Sequence, residues 1–170
     1  MSGPTRTLEI SIETATYANF RPFGTLLERS PDGKLFGPDE AQLVLDRGTP
    51  RFYILDIARR EFAFSYITRH MQVTQCLGSA GGAPWVIAVA PPNDPDDPKA
   101  LCDPSTIRAF HIPGNQAIQL ARSAWHAGPF FDGASQSFFN LELADTNQAD
   151  HHPCRLDEHF GIKVVLKQSS

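Results

Sequence analysis

The feature that most constrains the fold is a succession of short segments in which apolar and polar residues alternate. A period of two is typical of a strand with one buried face, and 14 prolines and 12 glycines interrupt the pattern before a long helix can form. The strands predicted on this basis are 8–12, 23–27, 52–57, 62–66, 73–77, 85–89, 107–112, 117–120, 137–143 and 162–166. Roughly ten short strands with turn signals about every eight to twelve residues predict an all-β sandwich or barrel.

Helical signals are few. Thr14 is placed to cap a short helix through Tyr17 to Phe20, which Arg21-Pro22 would end. Residues 38–45 form the one stretch suited to a longer helix, although the stretch is short. An α/β fold would need several helices of ten or more residues. The 170 residues are therefore predicted to form one all-β domain, residues 1–170.

Charge and cysteine usage exclude several classes of partner. The net charge is −4 and no lysine-arginine cluster is present, so neither nucleic acid nor an anionic membrane is an expected partner. The three cysteines, Cys76, Cys102 and Cys154, are odd in number and widely spaced, which predicts neither a zinc framework nor a disulfide scaffold. No signal peptide or apolar run of transmembrane length is visible, so we expect a soluble cytoplasmic protein.

Six histidines are candidates for acid–base chemistry or metal binding. For a single histidine, exposure or a local hydrogen bond is the commoner explanation. His126 is the exception, because the adjacent Trp125 can desolvate it and shift its pKa, although Gly128-Pro129 after it reads as a turn. His151 and His152 are adjacent, and adjacent side chains on a strand point to opposite faces, so at most one of them can serve.

A second group of polar residues lies around His70. In an extended segment His70, Gln72 and Thr74 share one face, with Gln75 on the other unless a bulge intervenes.

Two acidic or amide positions and two arginines complete the candidates. Glu142 lies between two leucines and either faces solvent or points inward into a polar barrel lumen. Asn147 is a site group or part of an ordinary turn. Arg69, next to His70, and Arg122, four positions before His126, can each clamp a carboxylate or form a surface ion pair.

The order of several motifs resembles a known family. Along the chain these are Phe20-Arg21-Pro22-Phe23-Gly24, Arg69-His70 with Thr74-Gln75, Ser105 to Phe110, Gly114 and Trp125-His126. Together they resemble the ureidoglycolate lyase family, over most of residues 15–145. The resemblance implies a cupin-type double-stranded β-barrel (jelly roll) with short N-terminal helices, usually assembled as a homodimer.

The resemblance also implies a reaction, the cleavage of ureidoglycolate to glyoxylate and urea in allantoin and purine catabolism by a carbon–nitrogen lyase of the amidine-lyase type. This lysis needs a base for the carbinol proton, an acid for the urea nitrogen and a cation for the carboxylate. On this resemblance we expect His70 or Glu142 to be the base and His126 to be the acid. Arg69 or Arg122 would bind the carboxylate. Further substrate contacts are expected from Gln75, Trp125 and Asn147.

Three positions depart from the family pattern and leave the substrate open. Thr68 precedes Arg-His where the family often has an acid, Ala127 replaces a second histidine, and the strand end 142–145 replaces an acid-arginine-glycine pattern. The variant looks more like plant ureidoglycolate hydrolase-like proteins. Two alternatives therefore stay open: a non-catalytic cupin that binds a small metabolite, and a metal-dependent cupin enzyme of other chemistry.

The metal pattern of cupins is incomplete in this chain. Glutamines at positions 72 and 75 and Ala121 stand where ligands would be expected. The resemblance requires no cofactor, and a divalent metal held by His70, His126 and one of His151 or His152 stays an open expectation.

Overall fold

The computed structural model describes residues 3–169 and places them in two curled β-sheets. The strands are β1 (Arg6–Thr14), β2 (Gly24–Leu27), β3 (Pro50–Ala58), β4 (Ala63–Phe64), β5 (Tyr66–Arg69), β6 (Gln75–Ser79), β7 (Trp85–Ala90), β8 (Arg108–Ile112), β9 (Ala117–Leu120), β10 (Trp125–Phe130), β11 (Ser135–Leu143), β12 (His152–Arg155) and β13 (Ile162–Lys167). Three short helices are α1 (Tyr17–Phe20), α2 (Thr146–Ala149) and α3 (Leu156–Phe160), and a 3₁₀ turn covers Pro104–Thr106.

One sheet has eight strands and the other has five. Their orders are β12-β5-β10-β7-β8-β1-β13-β4 and β2-β9-β6-β11-β3. Pairing is antiparallel except where β1 runs parallel to β8 and β13. This architecture confirms the prediction of an all-β, cupin-type barrel with few helices. No helix within residues 3–169 is long and apolar enough to cross a bilayer.

Strand β7 shows how the barrel is held together. Trp85, Ile87 and Val89 pack in the cluster that also contains Phe110 and Phe138, whereas the alternate residues of β7 join a second cluster on the opposite face. Both faces of β7 are therefore buried, as its nearly continuous apolar sequence predicts. Complete burial of a large apolar side chain contributes roughly 1.5–3 kcal/mol, so β7 contributes strongly to the stability of the barrel.

The predicted helix over residues 38–45 is wrong. The segment has no regular secondary structure and lies beside the chain before β6. The Val44 N–H donates to Thr74 Oγ1 (2.9 Å) and the Thr74 N–H donates to the Val44 carbonyl (3.3 Å). Long-range hydrogen bonds thus replace the local ones that a helix would form. The short N-terminal helix α1 is present, but its cap is Thr16 rather than Thr14, in a capping box with Asn19.

The sequence did not predict strands β10 and β12 or helices α2 and α3. Strand β10 passes through Gly128-Pro129, which reads as a turn, and its register against β7 shifts between Ala127 and Phe130. Such an irregularity lets a proline lie within a sheet without breaking the pairing on either side. Residues 62–66 also form two short strands rather than one, because Ser65 separates β4 from β5 and the two pair with different neighbours.

Candidate active site

A cavity of about 800 Å³ opens between β3, β5 and β10. Its walls mix apolar side chains with polar groups that converge from separate strands. The polar residues used below are Arg60, His70, Gln75, His126, Asn147 and His151. Four of the predicted site residues, His70, Gln75, His126 and Asn147, therefore border one cavity, and so does the candidate metal ligand His151.

His70 lies directly after β5, where the chain leaves the sheet. Its Nδ1 is 2.7 Å from the carbonyl oxygen of Asp150, and a carbonyl can only accept a hydrogen bond. Nδ1 therefore carries the hydrogen, and Nε2 of the neutral ring holds a lone pair. Burial is the main cause that lowers the pKa of His70, so the ring is neutral at neutral pH.

Asp150 fixes the backbone beside His70. The N–H groups of Met71 and Gln72 donate to its two carboxylate oxygens, each at 2.8 Å. The Ser123 N–H donates to the His70 carbonyl (2.7 Å) from the other side. The segment after β5 is thus held without sheet pairing. This irregular backbone also explains why both His70 and Gln75 border the cavity, although strict alternation would place them on opposite faces.

His126 lies in β10, opposite Thr68 of β5, and its ring centroid is 5.0 Å from that of His70. Burial, with a smaller effect of the neighbouring His70, lowers the pKa of His126 to about 3. His126 is therefore neutral at neutral pH, which argues against the predicted role of a cationic acid. Its buried Nδ1 has no hydrogen-bond partner among residues 3–169.

The two adjacent histidines point in different directions, as alternation predicts. His151 borders the cavity, and its ring centroid is 6.1 Å from that of His70. His152 instead approaches Asp150, with 3.0 Å between Nε2 and Oδ1. Across residues 3–169 no three histidine, cysteine, aspartate or glutamate side chains are grouped to hold an ion together, and a divalent metal at His70, His126 and His151 stays a prediction.

Glu142 points inward, into a set of residues that we call the inner polar cluster: Tyr53, Gln75, Asn140 and Glu142. The Tyr53 hydroxyl donates to Glu142 Oε1 (2.9 Å), and Gln75 Nε2 lies 3.3 Å from Oε2. Gln75 Nε2 also donates to Asn140 Oδ1 (3.0 Å), and Asn140 Nδ2 donates to the Tyr53 hydroxyl (3.0 Å). Glu142 is 2% exposed and does not border the cavity, so its carboxylate orients Gln75 and is poorly placed to act as a base.

Arg69 does not border the cavity, although it precedes His70 in the sequence. Its guanidinium donates to the carbonyl groups of Asn93 (2.7 Å), Asp94 (3.3 Å) and Asp97 (2.5 Å). It also lies 4.6 Å from the ring centre of Trp125, whose Nε1 donates to Asn93 Oδ1 (2.6 Å). The side chains of Arg69 and Trp125 therefore hold the 93–97 loop, and the structure does not place them for the predicted contact with a substrate.

Arg122 is also turned away, since it donates to the Met71 carbonyl (2.8 Å) and does not border the cavity. The guanidinium at the cavity is that of Arg60, just after β3, with Nη1 3.4 Å from the Gly128 carbonyl. Arg60 forms no ion pair within residues 3–169. Sequence reasoning missed it because it is ten positions from His70, and the basic pair Arg59-Arg60 at a strand end was its only signal.

Two comparisons with known proteins name the same family. A family model described as Ureidoglycolate lyase matches residues 38–163, a range that contains every cavity residue named above. The chain belongs to the ureidoglycolate lyase family. It is also 29% identical over 167 residues to Ureidoglycolate lyase 1 of Rhizobium meliloti (strain 1021), an alignment that covers 90% of this chain and 92% of that protein.

Membership of the ureidoglycolate lyase family confirms the predicted family and the enzyme class, a lyase. The two alternatives, a non-catalytic binding protein and a metal-dependent enzyme of other chemistry, gain no support from these comparisons. Two of the departures, Thr68 and Ala127, lie in the cavity wall itself. They leave the wall there without a charged side chain, and they leave His70 and its supports intact.

Proposed function

We propose that this protein cleaves ureidoglycolate into glyoxylate and urea. The observation that carries the proposal is His70: a neutral histidine that borders the cavity of about 800 Å³, held by a carbonyl so that Nε2 has the free lone pair. The family match supplies the substrate class. A neutral imidazole is the group expected of a base that works near neutral pH.

In the proposed reaction His70 Nε2 takes the proton of the carbinol hydroxyl. The oxygen then forms the aldehyde double bond of glyoxylate, the carbon–nitrogen bond breaks, and its electron pair stays on the urea nitrogen. His70, now an imidazolium, returns the proton to that nitrogen, which is attached to the same carbon as the hydroxyl. Both proton transfers are thereby within reach of one histidine, and neutral His126 serves as a hydrogen-bonding group beside it.

Arg60 is proposed to bind the substrate carboxylate. It is the guanidinium that borders the cavity and has no ion-pair partner among the described residues. A guanidinium can hold a carboxylate with two parallel hydrogen bonds, which fixes the position of the reacting carbon as well as binding it. The reaction is written with these side chains alone, and the proposal includes no metal or other cofactor.

Release of glyoxylate and urea from ureidoglycolate by purified protein tests the proposal. We expect turnover by the wild type and a loss of at least about a hundredfold in His70→Gln. His159→Gln is the matched control, because His159 is exposed and does not border the cavity. No release by wild-type protein at high enzyme concentration would overturn the proposal.

We also propose a homodimer and a cytoplasmic location. The outer faces of β3 and β11 expose Phe52, Ile54 and Phe139, and Phe52 stacks on Phe139 at 5.8 Å between ring centroids. A contiguous apolar patch of this kind supports burial against a second copy. Sedimentation is expected to give a dimer for the wild type and a monomer for Phe52→Asp. The cysteines Cys76, Cys102 and Cys154 are unpaired, which favours a reducing compartment.

A further inference from the structure

The amide of Gln75 is oriented by its neighbours, and one of its atoms is left over. Nε2 is shared between Asn140 Oδ1 and the Glu142 carboxylate, both of which accept. A flipped amide would put the Gln75 oxygen against these two oxygens, so the observed orientation is the one the inner polar cluster allows. Gln75 Oε1 consequently accepts no hydrogen bond from any described residue, although Gln75 is only 8% exposed.

Unpaired buried polar atoms are rare in folded proteins and call for an explanation, such as a ligand. Residues 3–169 contain five such side-chain atoms, and two of them, Gln75 Oε1 and His126 Nδ1, belong to residues that border the same cavity. Gln75 Oε1 is an acceptor in need of a donor. Gln75 Oε1 itself has almost no exposed surface, so a ligand in the cavity that offers an N–H or O–H group reaches it with a small shift of the Gln75 side chain.

The charge near Gln75 differs from the charge at Arg60. Glu142 lies directly behind Gln75, so a ligand carboxylate placed here would face a second carboxylate across a buried amide. Arg60 borders the cavity after β3 and attracts a carboxylate, although Asp56 and Glu61 also border the cavity and contribute negative charge. The substrate of the proposed reaction has one anionic end and one neutral end, and its ureido group carries N–H donors.

We infer that Gln75 is the specificity-determining residue for the ureido end of the substrate, whose terminal amino group donates to Gln75 Oε1 while the carboxylate lies at Arg60. Glu142, Asn140 and Tyr53 act as positioning residues that keep the Gln75 oxygen free. This inference rests on the proposed function, since it assumes a substrate with a ureido group and a carboxylate.

Two analogues that cannot be cleaved test the inference without turnover. N-carbamoylglycine and N-acetylglycine both lack the carbinol hydroxyl, and they differ only in a terminal amino group against a methyl group. Titration calorimetry with the wild type is expected to show at least about tenfold tighter binding of N-carbamoylglycine, because a site built around a buried acceptor rejects a ligand without the donor. Equal affinities in the wild type would overturn the inference.

Variants locate the discrimination. Gln75→Met should bring the two affinities to within about twofold of each other, whereas the matched control Gln72→Met should keep the preference. Gln72 lies three positions away, is exposed, and bonds Arg47. Arg60→Gln should weaken both analogues by the same factor, since both carry the carboxylate. Discrimination that survives in folded Gln75→Met, judged by its thermal unfolding, would refute the role of Gln75.

The turnover assay separates this inference from the proposed function. Cleavage of ureidoglycolate together with equal analogue affinities would refute the ureido contact at Gln75 and leave the lyase reaction standing. Discrimination that depends on Gln75 together with no cleavage would support the contact and refute the reaction. If Gln75→Met does not fold, the wild-type preference between the two analogues still decides the inference.

Discussion

Asp150 is predicted to be a positioning residue for His70, and Asp150→Asn is the perturbation that tests this. The carboxylate accepts the N–H groups of Met71 and Gln72 at 2.8 Å each, and the backbone carbonyl accepts His70 Nδ1–H at 2.7 Å. Asparagine keeps the size of the side chain but offers one acceptor oxygen. One backbone N–H therefore faces an amide NH₂ group instead of an acceptor.

The magnitude follows from these contacts. A hydrogen bond to a charged group contributes about 1.5–3 kcal/mol, so loss of one bond at this buried site should lower the free energy of unfolding by about 2 kcal/mol. Movement of the His70 segment by about an ångström should lower kcat by about tenfold to a hundredfold. The loss of kcat should exceed the loss of folded protein, because the variant remains mostly folded at assay temperature.

Urea denaturation and steady-state kinetics measure the two effects separately. A pH profile adds a readout that destabilisation alone does not change. The contact with the Asp150 carbonyl and the Asp150 charge both raise the pKa of His70, so their weakening should move the acid limb of the profile to lower pH. Asp157→Asn, which alters a surface pair with Arg155, is the control and should change little. Folded Asp150→Asn with kcat within about twofold of the wild type and an unchanged profile would refute the reasoning.

Three further predictions concern charged groups. Arg60→Gln should raise KM by about ten- to a hundredfold with little change in thermal unfolding, because Arg60 is exposed; an unchanged KM would remove it from the carboxylate site. Arg69→Met should lower the unfolding temperature, since three loop carbonyls lose their donor, while KM of the folded protein stays constant; a raised KM would return Arg69 to the site. The pKa of His126 is lowered to about 3 in the folded protein, so between about pH 6.5 and about pH 3 the unfolded chain binds a proton that the folded protein does not. The free energy of unfolding should therefore decrease as the pH is lowered from about 6.5 to about 3. His126→Gln should flatten this slope, measured by denaturation at several pH values. An equal slope in His126→Gln would contradict the burial of a neutral ring.

The sequence carried the fold further than the site. Strand β7 could be predicted because the apolar run that begins at Trp85 has to be buried on both faces. This requirement is visible in the local sequence and does not depend on which elements cover the strand. The irregular course of segment 38–45 could not, since the backbone of Val44 bonds Thr74, far along the chain. Strand β10 could not be predicted because the dipeptide Gly128-Pro129 is typical of a turn. In the structure a shift in the register against β7 accommodates this dipeptide within the strand.

Neither Arg69 nor Arg122 borders the cavity, and the reason is a related one. Arg69 was chosen because it is next to His70, but adjacent residues on an extended chain point to opposite sides. Strand alternation alone thus predicts that Arg69 and His70 cannot both face the cavity. The arginine that does, Arg60, lies just after a different strand, β3, and only the pairing of strands brings it near.

The same reasoning explains how one barrel separates the charges that the proposed reaction needs. Glu142 and Arg60 are both associated with the cavity, yet Glu142 is screened from it by Gln75 and held by Tyr53, whereas Arg60 borders it directly. Because Gln75 lies between the Glu142 carboxylate and the cavity, the group at the cavity is the neutral amide of Gln75, whose oxygen can accept a hydrogen bond from a ureido group. His70, which is buried, and His126, which is half-buried, also border the cavity, and desolvation is the main cause that lowers the pKa of both, so both rings are neutral. A substrate held at both ends would therefore present its carbinol carbon to a histidine that is ready to accept a proton.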